Sequence, residues 1–156
     1  MKYIYIIIIL VSVLSCSSND EKLIHYSYNN VNITRVDKGN ISYFYYGYCN
    51  NNDIRCINES VSIDWRFDRY LFGFILFKDD STVEIIDGGG GSYINYSHAN
   101  SKLYKREYDN TQLDNIEVLK KKDGYDNLFQ LSNDLVLEHK RNKKFGSKVE
   151  AKIYRK

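Results

Sequence analysis

Read for its alternation of apolar and polar positions, the chain divides into an apolar opening and a long succession of short period-two segments. Tyr3 to Leu14 is apolar except at Ser12. It shows no polar face, unlike a surface helix of a folded domain, and polar sequence from Ser17 leaves it short of the roughly 20 apolar residues a spanning helix needs. With Lys2 before it and small residues after it, the segment reads as an export signal over residues 1–15.

Beyond residue 30 the pattern is that of strands. Val31, Ile33 and Arg35 alternate, the turn Asp37-Lys38-Gly39-Asn40 follows, and Ile41 to Cys49 carries aromatic and β-branched residues with Ile41, Tyr43, Tyr45, Gly47 and Cys49 on one face. Val61, Ile63, Trp65 and Phe67 alternate with Ser62, Asp64, Arg66 and Asp68, which predicts a half-buried strand. Tyr70 to Phe77 is apolar on both faces and predicts a central strand covered on both sides. With the turn Lys78 to Ser81 and the return Thr82 to Asp87 it makes the strongest hairpin signal in the chain.

Further short strands are expected at Tyr93 to Ser97, Lys102 to Tyr108, Ile116 to Lys120, Leu128 to Leu131, Leu135 to His139, and Val149 to Tyr154. No long 3.6-residue periodicity follows the opening. Many short strands joined by tight turns predict an all-β fold, a small antiparallel barrel or sandwich. The expected organisation is a signal over 1–15, a modified cysteine and flexible tether over 16–30, and one β domain over 31–156.

Two resemblances sharpen this reading. Val13-Leu14-Ser15-Cys16 resembles the lipobox of bacterial lipoproteins, and Ser17-Ser18-Asn19-Asp20-Glu21 is similar to the polar tether that such proteins carry next. The resemblance implies that Cys16 is acylated and becomes the first mature residue, and that the domain is held on a membrane of the bacterial cell envelope. Each buried methylene of such a lipid contributes about 0.8 kcal/mol, so two chains anchor a small domain stably. The run from Phe74 to Lys156, with its hairpin FILFKDDSTVEII, resembles in rhythm the small lipocalin-like domains of bacterial lipoproteins. That likeness implies a meander and no particular function.

Composition adds little and excludes more. Charged residues at 27% and hydrophobic ones at 43% fit one folded domain, and 15 tyrosines lean towards β structure. From Val118 to Lys156 there are 11 Lys and Arg against 5 Asp and Glu, a basic third better read as solvated edges than as a nucleic-acid face in an exported protein. If Cys16 is lipidated, Cys49 and Cys56 form the even remainder and a disulfide is expected between them. Sequons at Asn32, Asn40, Asn58 and Asn95 keep open a secreted glycoprotein with an ordinary signal peptide.

Signals for chemistry are weak. Gly88 to Gly91 lacks the GK[ST] ending of a phosphate loop, and His25, His98 and His139 stand in no metal spacing. Asp64 and Asp68 around Trp65 could form an acid/base pair only if they face one another across a substrate. Tyr43, Tyr45, Trp65, Phe72 and Phe74 are candidates to line a cavity for an apolar ligand, with core filling as the simpler role. The expectation is a non-catalytic binding module without cofactor or metal. It would take either an apolar small molecule inside a barrel or a protein partner, as an inhibitor or immunity protein does.

Overall fold

In a computed structural model that describes residues 22–49, 60–66, 72–88, 96–100, 102–107 and 126–155, alternation of side chains on ten strands builds two five-stranded sheets. Sheet A has the order β10-β1-β2-β3-β4, from β1 (Lys22–Tyr28), β2 (Val31–Lys38), β3 (Ile41–Tyr46), β4 (Ser60–Asp64) and β10 (Glu150–Arg155). Sheet B has the order β7-β8-β6-β5-β9, from β5 (Phe72–Phe77), β6 (Val83–Asp87), β7 (Tyr96–Asn100), β8 (Leu103–Glu107) and β9 (Leu128–Ser132). Among the described residues one helix, α1 (Leu135–Phe145), lies between β9 and β10 in the chain. The fold is all-β, and of the two expected architectures the two-sheet sandwich fits.

The sheets share one core. Ile24, Tyr26, Ile33, Phe44 and Ile63 of sheet A and Ile75, Phe77, Val83, Ile85, Leu103 and Leu131 of sheet B belong to a single buried cluster. Each is one side of a period-two strand, so burying that side is what sets the register. Gly73 marks a close approach: a Cβ there would stand 2.6 Å from the Ile86 carbonyl oxygen and 3.1 Å from Ile63 Cδ1 of the facing sheet. The hairpin β5–β6 behaves as its pattern predicts. Ile75 and Phe77 face the shared core, while Phe74 is buried in a second cluster with Ile86 and Leu128, against which Phe72 and Leu76 pack.

The structure departs from the sequence reading at three places. The tether expected over 16–30 cannot run to residue 30, because Lys22–Tyr28 is strand β1, paired on both sides with Ile24 and Tyr26 fully buried. Leu135 to His139, expected as a strand, opens helix α1, with Asp134 as N-cap accepting from the amides of Val136 and Leu137 at 2.9 and 3.2 Å. Finally, β8 pairs with β6 in parallel and with β7 antiparallel, so the meander is interrupted between Asp87 and Leu103. A parallel neighbour needs a crossover connection, which residues 88–102 are long enough to supply. The strand expected at 116–120 lies outside the described residues.

Candidate functional site

Two groupings of polar side chains stand out, one inside the sandwich and one on its surface. The internal one centres on Arg35, which parity on β2 aims inward and which is 1% exposed. Its Nε donates to Asp37 Oδ1 at 2.6 Å and Ser42 Oγ at 3.1 Å. Nη1 donates to Glu138 Oε2 at 2.9 Å and Tyr26 Oη at 3.4 Å, and Nη2 donates to the Ser132 carbonyl at 3.0 Å. The guanidinium also lies 5.5 Å from the centre of the Trp65 ring, whose Nε1 donates to Ser42 Oγ at 2.7 Å. Burial works against the charge on Arg35, but Tyr26, Glu138 and Asp37 more than offset it and raise its pKa. Burial also raises the pKa of Glu138, with Arg35 pulling the other way, and holds the Tyr26 hydroxyl protonated.

This cluster joins sheet A to helix α1 and to the edge of sheet B. Edge strand β9 has outward-facing backbone groups that an exposed edge would leave for another chain to pair. Here Asn142 on α1 accepts from the Gln130 amide and donates to the Gln130 carbonyl, each at 2.7 Å, as a neighbouring strand would. Glu138 accepts from the Ser132 amide at 2.8 Å, and Arg35 donates to the Ser132 carbonyl. The fully buried positions of α1 are therefore polar, Glu138 and Asn142 one turn apart, with Leu135 packed half-buried against the core before them, while Val136 and Leu137 face outwards. With all three guanidinium nitrogens engaged and the guanidinium buried, the Arg35 cluster serves as an internal fastening.

The surface grouping lies on the outer face of sheet A, away from sheet B. Gly47 adopts φ 88, a left-handed conformation that turns the chain after β3, and its amide donates to the Asn32 carbonyl at 2.7 Å. Thr34 Oγ1 donates to the Gly47 carbonyl at 2.7 Å and accepts from the Cys49 amide at 3.0 Å, tying residues 47–49 to β2. Thr34 Oγ1 also lies 2.9 Å from His25 Nδ1. Because the single hydroxyl proton of Thr34 is already donated, the contact with His25 requires a proton on Nδ1, which leaves Nε2 as the acceptor of the neutral ring.

Tyr48 and Tyr154 flank this histidine edge to face, each with its ring centre 5.1 Å from that of His25. They are 67% and 50% exposed, whereas His25 is 9% exposed. Burial lowers the pKa of His25, so the ring prefers to stay neutral. Lys152, exposed, stands opposite His25 in the β1–β10 register. The arrangement is a floor of imidazole between two accessible phenol rings, with a cation alongside.

The residues singled out in the sequence do not converge on one chamber. Trp65 joins the shared core, Tyr45 lies with Val36 and Cys49 in an outer cluster of sheet A against which Tyr43 packs, and Phe72 and Phe74 belong to the second cluster of sheet B. Asp64 is held low in pKa by hydrogen bonds from Arg66, the side chains meeting at 2.6 Å and 3.0 Å, while Asp68 lies outside the described residues. His139 sits exposed on α1. Cys16 and Cys56 also lie outside the described residues. Among the described residues no group of three His, Cys, Asp or Glu could hold a metal ion, and no helix is long and apolar enough to cross a membrane. Sequence reasoning missed the Tyr48–His25–Tyr154 grouping, since its members come from three distant segments.

No protein-family model, curated protein or solved structure matches this chain.

Proposed function

We propose that this protein is an exported, lipid-anchored β-sandwich that acts without catalysis, by holding a protein partner against the outer face of sheet A around Tyr48, His25 and Tyr154. The observation that carries the reading is the pair of exposed tyrosines set on a buried, hydrogen-bonded histidine. Tyrosine is enriched at protein interfaces because it offers a large, stiff, amphipathic surface at low entropic cost. A neutral His25 adds an acceptor and Lys152 a charge, which together favour a partner presenting hydrogen-bond donors and a carboxylate.

An apolar small molecule between the sheets finds less support. Among the described residues one buried cluster drawn from both sheets and the Arg35 fastening lie between the sheets, and small sandwiches pack their interiors densely. The anchor at Cys16 rests on the lipobox resemblance. Cys16→Ser is expected to abolish lipid labelling in a bacterial host and to release the domain from membranes, and undiminished labelling would refute the anchor. A Cys49–Cys56 bridge belongs to the same proposal. In its support, Cys49 is buried, 4% exposed. Such a bridge would hold Tyr48 in place from the other side, and intact mass with and without reduction would count it.

The test of the binding reading is affinity capture from envelope extracts with wild type, Tyr48→Ala/Tyr154→Ala and Asp64→Asn. A partner held by wild type and Asp64→Asn and lost by the double variant supports it. A partner held equally by all three refutes it.

A further inference from the structure

Strand β10 is the one element of sheet A whose described positions are exposed on both faces. Glu150, Ala151, Lys152, Ile153 and Tyr154 are all exposed, and among the described residues β10 pairs with β1 alone. Ile153 shares the inward face with Ile24, its partner in register, yet is 50% exposed, while Tyr154 on the outward face is exposed to the same degree. Edge strands are usually blunted or covered. The β9 edge of sheet B is covered here by Asn142, Glu138 and Arg35, and β4 at the far side of sheet A approaches β7 and β8.

We propose that β10 is a self-association edge, taking β10 of a second copy antiparallel across a two-fold axis to join the two A sheets into one. If the faces are to stay continuous, the paired residue numbers must sum to an even value. Two registers place five described residues against five. One sets Lys152 against its twin, and like charges directly opposite are destabilising. The other sets Ile153 against Ile153, Lys152 against Tyr154, and Ala151 against position 155, with no like-charged pair opposite. This second register covers two half-exposed isoleucines with each other and places an ammonium beside a phenol ring in each half. It also brings two Tyr48–His25–Tyr154 groupings onto one continuous outer face.

The full chain in detergent, compared with Ile153→Lys, Ile153→Cys and Lys152→Cys, tests both the dimer and its register. Residues directly opposite across an antiparallel pair have Cα atoms about 4.5 to 5.5 Å apart, within disulfide reach, whereas diagonal positions are too far. Ile153→Cys should therefore yield a reducible covalent dimer above the wild-type background, and Lys152→Cys should not. By sedimentation, wild type should be dimeric at about 50 µM and Ile153→Lys should dissociate at least about tenfold more readily while keeping the wild-type circular-dichroism spectrum. A wild-type monomer at that concentration overturns the proposal. So does self-association indifferent to Ile153→Lys, or cross-linking at position 152 that matches or exceeds that at 153.

Discussion

Replacing Arg35 by Met removes a cation that holds five partners while keeping much of its length in the core. Asp37, Ser42, Tyr26, Glu138 and the Ser132 carbonyl each lose a donor. Glu138 suffers most, because it is 3% exposed and would keep only the Tyr26 hydroxyl at 3.0 Å and the Ser132 amide. Removing one partner of a buried ion pair costs about 3 to 5 kcal/mol, out of a total stability of roughly 5 to 15. For a domain of this size each kcal/mol is about 3 to 5 °C in melting temperature, so a drop of roughly 10 to 20 °C is expected. The loss should change little with salt, since buried pairs are poorly screened. Arg35→Met/Glu138→Leu should recover part of the loss, because two apolar groups leave no buried charge unpaired. Circular-dichroism melts of the three proteins at low and high salt decide the matter. If Arg35→Met melts within about 3 °C of wild type, the Arg35 cluster does not fasten the sheets as described.

Four further outcomes are expected. Gly73→Ala should destabilise by about 1 to 3 kcal/mol in urea unfolding, since its Cβ would stand 2.6 Å from a backbone oxygen that a side-chain rotation cannot move; an unchanged midpoint would count against the close packing there. Phe74→Ala should cost about 3 to 5 kcal/mol because the ring is buried in the second cluster. Asp64→Ala, which loses a contact with the exposed Arg66, should leave the unfolding midpoint nearly unchanged. Finally, because burial lowers the pKa of His25 in the folded state, the unfolded chain takes up the proton first as pH falls below 6.5. Stability contributed by the neutral ring is present above that pH and lost below it, so the difference in melting temperature between wild type and His25→Gln should shrink from pH 7.5 to pH 5.

The hairpin β5–β6 and strands β3 and β4 were legible because their side chains obey a strict rule: apolar runs where both faces are covered, alternation where one is. Parity even placed Arg35 on the face of Val31 and Ile33. What parity could not disclose was its counterion, Glu138, which lies 103 residues away in the chain. Helix α1 is not legible because its inward stripe continues from Leu135 with Glu138 and Asn142 instead of leucines, so the hydrophobic period that announces a helix is missing. Asp134 and Gly146, a capping side chain and a left-handed terminator, were the signals that could have bracketed it. Strand β1 reads as tether because Ile24, Tyr26 and Tyr28 alternate with polar residues directly after the polar run Ser17 to Glu21. The surface grouping was out of reach for a different reason: Tyr48, His25 and Tyr154 acquire meaning only when β10 returns to pair with β1.

The most direct test of an outward-facing binding module is quantitative capture of envelope proteins on the full chain, with mass spectrometry of what elutes both as protein and as solvent-extractable small molecule. The expected result is one protein retained in fixed proportion by wild type and by Asp64→Asn, and reduced at least about tenfold by Tyr48→Ala/Tyr154→Ala. An apolar small molecule bound in fixed proportion by wild type and by the double variant, with no protein partner retained, would contradict it and return the interior of the sandwich as the site.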